Sequence, residues 1–240
     1  MQSLKGKTAL ITGAGKGLGK AMALALANEG VNLILFSRTE TDLNALANEV
    51  KRINNELKVD YKKVDVSDFS SVTVAVKELI ENGVNIDILI NNAGILKVGG
   101  FLELSVKEWE DVFKVNVFGS YYMMHEILPH MLTKQRGDII NIASTAGLKG
   151  AAKLSAYGAS KAALINMSES LMQEARKSNV RVTTVNPSTI ATDMTINAEF
   201  TDGDVERVLQ PEDLAFLIVQ HLKLPRRAFV KEVGLWSTNP

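Results

Sequence analysis

The sequence contains no cysteine, and this absence excludes several kinds of site at once. A disulfide framework, a thiolate metal centre and a cysteine nucleophile all require cysteine, so none of them is available to this chain. The absence also suits a reducing compartment. Because the sequence also lacks an apolar run long enough for a signal peptide or a membrane span, we predict a cytoplasmic protein.

Proline is scarce, with five residues in 240, and no segment is rich in proline, glycine and serine together. Linkers between domains usually have such compositions, so we predict one domain over residues 1–240. Neither sign of charge is in excess, because 27 Lys and Arg residues balance 27 Asp and Glu residues. A balanced chain offers no overall field for a nucleic-acid backbone or an anionic membrane, so we expect neither as a partner.

What is present is an alternation of short aliphatic runs with segments of helical periodicity, which predicts repeated βα units. The runs IDILI and DIINI are apolar apart from an aspartate or asparagine, as is typical of strands buried on both faces of a parallel sheet. We therefore predict a doubly wound (Rossmann) α/β fold with helices on both faces of the sheet. The predicted strands are Thr8–Thr12, Asn32–Ser37, Val59–Lys63, Ile86–Asn91, Asp138–Ile142 and Arg181–Asn186, and the predicted helices are Leu18–Asn28, Glu40–Ile53, Val72–Asn82, Val106–Leu132 and Ala156–Lys177.

Two of these helices begin with capping-box patterns, Thr39-x-x-Asp42 and Ser105-x-x-Glu108. In such a fold ligands bind beyond the carboxyl ends of the strands, so the residues that follow each strand are the candidates for function.

A glycine-rich loop, TGAGKGLG, follows the first strand and opens a helix, with glycines at 13, 15, 17 and 19. Glycines let the backbone approach a pyrophosphate, which the free amides of a helix start can bind. The spacing differs from the common GxGxxG pattern, so a tight glycine turn without a ligand is the alternative.

The second strand ends at Ser37-Arg38, where an enzyme that uses NAD usually has an acidic residue on the adenosine ribose. Arg38 and Lys16 instead provide two cations where a 2′-phosphate would bind, and arginine suits phosphate because of its forked donors. Their joint placement predicts NADP(H), although either cation alone is typical of a solvated surface.

Small polar residues follow the fourth and fifth strands, in Asn91–Gly94 and at Ser144. Tyr157 and Lys161 are four residues apart in a predicted helix and therefore share one face. An ammonium beside a phenol stabilises the phenolate, so we expect Lys161 to lower the pKa of Tyr157 from about 10. A packed ring beside a surface amine is the alternative for such a pair in isolation.

With these motifs in their order and spacing, the chain resembles the short-chain dehydrogenase/reductases over essentially its whole length. The resemblance implies that Tyr157 donates a proton to the substrate oxygen, that Ser144 hydrogen-bonds the same oxygen, and that Lys161 holds the nicotinamide ribose. It implies that Asn116 positions a water relay towards Lys161. It places Asp65 at the adenine, Asn92 at the adenosine ribose, and Ile190 and Thr192 at the carboxamide. The candidate cofactor-binding set is Gly13, Gly15, Lys16, Gly17, Leu18, Gly19, Ser37, Arg38, Asp65, Val66, Asn92, Ala93, Gly94, Tyr157, Lys161, Pro187, Ile190 and Thr192.

The sequence departs from the pattern of these enzymes at two places near the substrate end. Ser188 stands where the family usually has glycine after Asn-Pro, and we expect a tighter turn there. The ending VKEVGLWSTNP lacks the glycine-rich terminal strand common in relatives. The acidic segment 195–208 between these two places is predicted to be a mobile lid.

The resemblance is strongest to 3-oxoacyl-acyl-carrier-protein reductases, which implies reduction of a 3-oxoacyl thioester by NADPH. Small ketones or diketones are alternative substrates, and an NADPH-sensing regulatory protein without turnover is the alternative from another class. Basic residues could receive an acidic acyl carrier protein or could form a solvated face: Lys134, Arg136, Arg176 and Lys177.

The run FGSYYMMHEILPHML is apolar on more than one face, which indicates subunit contact, and the resemblance implies a homotetramer. His125 and His130 are five residues apart with Pro129 between them, whereas the zinc-protease motif needs a spacing of four. We predict no metal site.

Overall fold

A parallel sheet of seven strands forms the centre of residues 1–238, which are the residues that the computed structural model describes. Its spatial order is β3-β2-β1-β4-β5-β6-β7, so the connections run outwards in opposite directions from the boundary between β1 and β4. Such a boundary opens a crevice at the carboxyl ends of the strands. The strands are β1 (Thr8–Thr12), β2 (Asn32–Ser37), β3 (Val59–Lys63), β4 (Ile88–Asn91), β5 (Gly137–Ile142), β6 (Val180–Pro187) and β7 (Glu232–Leu235).

Helices cover both faces of the sheet, which confirms the prediction of a doubly wound α/β fold. They are α1 (Gly17–Asn28), α2 (Glu40–Ile53), α3 (Phe69–Glu81), α4 (Val106–Phe113), α5 (Gly119–Thr133), α6 (Ser155–Ala175), α7 (Asp193–Ile196) and α8 (Pro211–Leu222). One apolar core packs α1, α2 and α8 on the first face, and the other packs α3, α5 and α6 on the second. Successive strand residues supply both cores, as Leu10 and Ile11 of β1 do. No helix of residues 1–238 is long and apolar enough to span a bilayer.

The long helix predicted over Val106–Leu132 is two helices joined by a π-helical turn, Lys114–Phe118. The turn includes Asn116, whose buried amide bonds to residues outside the helix. Periodicity could not reveal this break, because the tertiary partners of Asn116 lie far away in the chain. Ser105 forms the predicted capping box with Glu108.

The capping box predicted at Thr39 is wrong, because the Thr39 side chain accepts no cap bond. The backbone N–H of Thr39 instead donates to Ser37 Oγ at 3.0 Å. Helix α3 begins three residues earlier than predicted, because the carboxylate of Asp68 accepts a bond of 2.9 Å from the Ser70 N–H and so starts the helix. The departure from the glycine-rich terminal pattern does not remove the last strand, since β7 pairs in parallel with β6 through Val185 and Val233.

The amino-terminal edge of the sheet contains a buried ion pair. Arg181 and Asp138 are both 3% exposed, and Arg181 Nε donates to Asp138 Oδ1 at 2.5 Å. Arg226 Nη1 donates to the other carboxylate oxygen at 2.8 Å. The basic residues proposed for carrier docking lie just before β5 and β6, at this same edge and opposite the carboxyl ends of the strands: Lys134, Arg136, Arg176 and Lys177. A carrier protein on these residues would therefore lie away from the crevice, and its docking there stays a prediction beside that of a solvated face.

Candidate active site

A cavity of about 760 Å³ opens at the carboxyl ends of the strands and contains almost every predicted site residue. It includes Ser144, Tyr157 and Lys161 together with the glycine loop and the residues after β2, β3, β4 and β6. Gly19 and Asn116 do not line it. The structure therefore brings the two ends of the predicted site into one continuous space.

The glycine loop is held tightly against the loop after β4. Gly13 has a φ of 63° and would place an added Cβ 2.9 Å from Ala93 Cα, so only glycine fits there. Asn92 Nδ2 donates to the carbonyls of Thr12 and Gly13 at 3.1 Å each. The side chain of Asn92 thus joins the two loops, and Thr12 Oγ1, which the sequence analysis missed, accepts the N–H groups of Asn92 and Ala93.

The start of α1 fits a pyrophosphate. Within residues 1–238, no side chain caps its first turn, and that turn carries no acidic residue. Its free N–H groups and the positive end of its dipole therefore remain available to an anion in the cavity. Gly19 contributes indirectly, because an added Cβ would overlap the carbonyl of Gly13 and push the helix away from the loop.

The adenosine end of the cavity contains both predicted cations and one carboxylate that the sequence analysis assigned to a cap. Arg38 and Lys16 both line this end, and Lys16 Nζ lies 3.8 Å from Asp193 in an exposed pair. Asp42 packs against the glycine loop, since a Cβ added to Gly15 would lie 2.8 Å from the Cβ of Asp42. Asp65 Oδ1 accepts bonds from the Ser67 N–H and Oγ at 3.0 and 2.7 Å. Lys16 and Arg38 are the two cations of this end, and a cation of either kind suits a 2′-phosphate.

Lys161 is only 4% exposed, and its Nζ donates to the carbonyl of Ile142 at 2.7 Å. Burial lowers the pKa of Lys161 to about 8. Its Nζ lies 5.6 Å from the centre of the Tyr157 ring. Burial raises the pKa of Tyr157, and a hydrogen bond with Ser144 lowers it by less. The expectation that Lys161 lowers the pKa of Tyr157 is therefore wrong, because desolvation of the phenol dominates and the ammonium bonds to a backbone carbonyl.

Close packing brings Ser144, at the end of β5, to the helix that carries Tyr157. A Cβ on Gly147 would lie 2.7 Å from the carbonyl carbon of Lys161, and one on Gly158 would lie 2.9 Å from the carbonyl oxygen of Ala146. Glycine at both positions lets the loop after β5 (residues 143–154), which we call the β5 loop, touch the backbone of α6. The contact explains why a strand end and a helix face share one site.

Asn116 is fully buried, and its side chain links the loop after β4 to α6 by hydrogen bonds. Its Oδ1 accepts the Ile95 N–H at 2.8 Å, and its Nδ2 donates to the Ile95 carbonyl and to Ser160 Oγ at 3.0 Å each. The π-helical turn therefore fastens the loop after β4 to α6. A Cβ on Gly94 would lie 3.3 Å from Asn116 Oδ1 and 3.7 Å from Lys161 Nζ, so this glycine separates the two side chains.

The far end of the cavity, beyond Tyr157, includes several residues that the sequence analysis did not assign to the site. Trp236 follows β7 and lines the cavity with 65% of its surface exposed. Lys149 lies on the β5 loop between Ser144 and Tyr157. Ser188 donates its N–H to Leu235 at 2.8 Å, which continues the pairing of β6 with β7. The positions of Ser188 and Trp236 therefore depend on the last strand.

Comparison with known proteins places the chain among oxidoreductases. The family model described as short chain dehydrogenase matches residues 7–202. An uncharacterized oxidoreductase of Staphylococcus saprophyticus is 36% identical over 97% of this chain and 98% of that protein, and one of Staphylococcus epidermidis is 32% identical over 98% and 99%. An alcohol dehydrogenase of the archaeon Thermococcus sibiricus complexed with 5-hydroxy-NADP aligns at a TM-score of 0.89 and 27% identity, covering 98% of this chain and 97% of that one. The closed form of serine dehydrogenase complexed with NADP+ aligns at 0.85 and 29% identity, covering 95% and 94%.

Proposed function

The chain is an oxidoreductase of the short-chain dehydrogenase family, and we propose that it uses NADPH to reduce a carbonyl to a secondary alcohol. The observation that carries the proposal is the single cavity in which Ser144, Tyr157 and Lys161 meet the glycine loop. A sensor without turnover would need the glycine loop but would have no use for a buried lysine beside a half-buried phenol.

The proposed direction of proton transfer agrees with the electrostatics of Tyr157. A bound nicotinamide cofactor would supply the hydride. Because burial raises its pKa, Tyr157 keeps its proton at neutral pH and can donate it to the oxygen of a carbonyl as charge develops there. The hydroxyl of Ser144 would hydrogen-bond the same oxygen. Lys161, whose pKa of about 8 leaves it mostly an ammonium at pH 7, would hold the ribose hydroxyls of the nicotinamide.

We propose NADP(H) as the cofactor because of the charges at the adenosine end. Lys16 and Arg38 provide two cations there, and the uncapped start of α1 provides amides for a pyrophosphate. The similar structures of an alcohol dehydrogenase and a serine dehydrogenase are complexes with a hydroxylated NADP and with NADP+, which supports this choice.

For the substrate we propose a 3-oxoacyl thioester, with small ketones and diketones as the alternative. The cavity beyond Tyr157 is largely apolar, which suits an acyl chain. We propose docking of an acyl carrier protein only at the carboxyl edge of the sheet, since the basic residues before β5 and β6 lie at the other edge.

We also propose a cytoplasmic homotetramer with an interface on α5 and α6. Its support is an exposed aromatic surface in which Phe69, Phe118 and Tyr121, each nearly half exposed, all contact Tyr122 of α5. Sedimentation of the purified protein tests the assembly, and a monomeric species would contradict it.

The test of the proposed reaction combines turnover with cofactor binding. NADPH oxidation is measured with acetoacetyl-CoA, simple ketones and diketones, with NADH in parallel, for the wild type and for Tyr157→Phe. Removal of a positioned acid should reduce kcat by about 100-fold to 10,000-fold and leave NADPH binding unchanged. If Tyr157→Phe retained full turnover, the mechanism would be wrong. Tight NADPH binding without turnover of any carbonyl would favour the sensor.

A further inference from the structure

We define the substrate end of the cavity as the part lined by Leu96, by the loop after β5 and by the chain from β6 to Trp236. Among the described residues, it has one unpaired charge in an apolar lining. Its large side chains are Leu96, Leu154, Met194, Phe200 and Trp236. Lys149 is the cation among them, and within residues 1–238 it forms no ion pair and no side-chain hydrogen bond.

The other charged residues of the cavity are at the adenosine end or have partners. Lys16, Arg38, Asp42 and Asp65 follow β1, β2 and β3, and Asp193 is paired with Lys16. Lys161 donates to a backbone carbonyl beneath Tyr157. Lys149 is therefore the charge available to the part of a substrate that extends beyond the reacting carbonyl.

We propose that Lys149 binds an anionic group of the substrate, so that the substrate class is an oxo compound with an apolar body and an anionic substituent. This inference rests on the proposed function and specifies its substrate. The anion could be the carboxylate of an oxo acid or the phosphate of a coenzyme A or phosphopantetheine thioester. Both are oxyanions that accept hydrogen bonds from an ammonium.

The loop around Lys149 is attached at both ends, which gives its cation a defined location. On one side Gly147 lies against the backbone of α6. On the other side the carbonyl of Lys153 accepts the N–H of Gly99 at 3.0 Å. The segment between them is exposed, and a Cβ on Gly150 would meet no atom of the described residues within 4 Å. The cation is thus placed five residues after Ser144 and eight before Tyr157, on the connection that joins them.

The expected size of the effect follows from exposure. Lys149 is a solvent-exposed side chain, and exposed ion pairs contribute up to about 1 kcal/mol, which is roughly fivefold in affinity. Since the anion is remote from the reacting carbon, the pair strengthens ground state and transition state alike. Its loss should therefore raise KM and leave kcat nearly unchanged.

The experiment uses the full chain with NADPH and two matched substrate pairs. One pair is 3-oxohexanoate and its methyl ester, and the other is acetoacetyl-CoA and the N-acetylcysteamine thioester, which lacks the phosphates. Kinetics are measured for the wild type, for Lys149→Met, and for Lys153→Met as the control. Lys153 is an exposed lysine of the same loop that does not line the cavity, so its variant removes the same charge from outside the site.

In at least one pair, the wild type should have a kcat/KM about fivefold higher for the anionic member, falling with added salt. Lys149→Met should abolish that difference through KM, and Lys153→Met should keep it within twofold. If kcat/KM differs only between 3-oxohexanoate and its ester, the anion that Lys149 binds is a carboxylate. If it differs only between the two thioesters, the anion is a phosphate. The inference is overturned if the neutral members react equally well in both pairs, or if the two variants behave alike. The proposed function fails separately, by absence of turnover with all four compounds and with the neutral ketones.

Discussion

Replacement of Lys161 by methionine should make the protein more stable at neutral pH while it abolishes reduction. The pKa of Lys161 falls from 10.5 to about 8 on burial, a change of 2.5 units. At 1.4 kcal/mol per unit, the charged side chain costs the folded state about 3 kcal/mol. Methionine has a similar length and no charge. The carbonyl of Ile142 loses its donor, which costs about 1 kcal/mol, so the net gain should be about 2 kcal/mol.

The sign and the pH window of this effect follow from proton linkage. Between about pH 8 and pH 10.5 the unfolded chain holds a proton on Lys161 that the folded protein has released. In that window the stability of the wild type therefore rises with pH as the cost of the buried charge disappears. The advantage of Lys161→Met should be complete below pH 8 and absent above pH 10.5.

Urea unfolding of both proteins at pH 7 and at pH 10.5 measures the difference. For a chain of 240 residues, about 2 kcal/mol corresponds to a rise in Tm of roughly 4–8 °C at pH 7. Lys149→Met is the control, because this lysine is exposed and its replacement should change the free energy of unfolding by less than about 0.5 kcal/mol. The reasoning is refuted if Lys161→Met is less stable than the wild type at pH 7, or if the difference between them does not depend on pH.

Three further perturbations test other parts of the structure. Asp138→Asn leaves Arg181 buried without its carboxylate and should lower the free energy of unfolding by about 3 kcal/mol in urea, whereas a loss below 1 kcal/mol would contradict a buried ion pair. Gly147→Ala should force the β5 loop off α6, which should lower the free energy of unfolding by about 1–3 kcal/mol and reduce kcat. The control Gly150→Ala should change neither quantity. Equal effects of the two substitutions would refute close packing at Gly147. Arg38→Leu should weaken binding of adenosine 2′,5′-bisphosphate about tenfold in calorimetry and leave AMP binding unchanged, and equal losses for both ligands would exclude a contact with the 2′-phosphate.

Several features of the fold and the site could be predicted because they depend on residues close in the chain. The apolar runs of β4 and β5 indicate burial on both faces, and the structure buries every residue of both strands. Tyr157 and Lys161 share a helix face because they are four residues apart. The glycine loop marks the start of α1, because the φ values of 63° at Gly13 and 53° at Gly17 favour residues without a Cβ.

Features that depend on distant neighbours could not be predicted in this way. The pattern of Thr39 and Asp42 predicts a cap, but Asp42 packs on Gly15 because β1 and β2 are adjacent in the sheet. The break at Asn116 comes from its bonds to Ile95 and Ser160. Trp236 enters the cavity only because β7 pairs with β6.

The sequence by itself thus determined the order of β1 to β6, the cofactor loop and the tyrosine–lysine pair, because each is set by spacing along the chain; α7, α8 and β7 were not predicted. Only the tertiary structure decided the charge states and the surroundings of the site. A pKa depends on how much water and how many charges surround a group, and the elements that bury Tyr157 and Lys161 come from distant parts of the chain. The paired strands also decide that the cations before β5 and β6 lie at one edge of the sheet while Lys149 lines the cavity at the other, because all strands of the sheet run in the same direction.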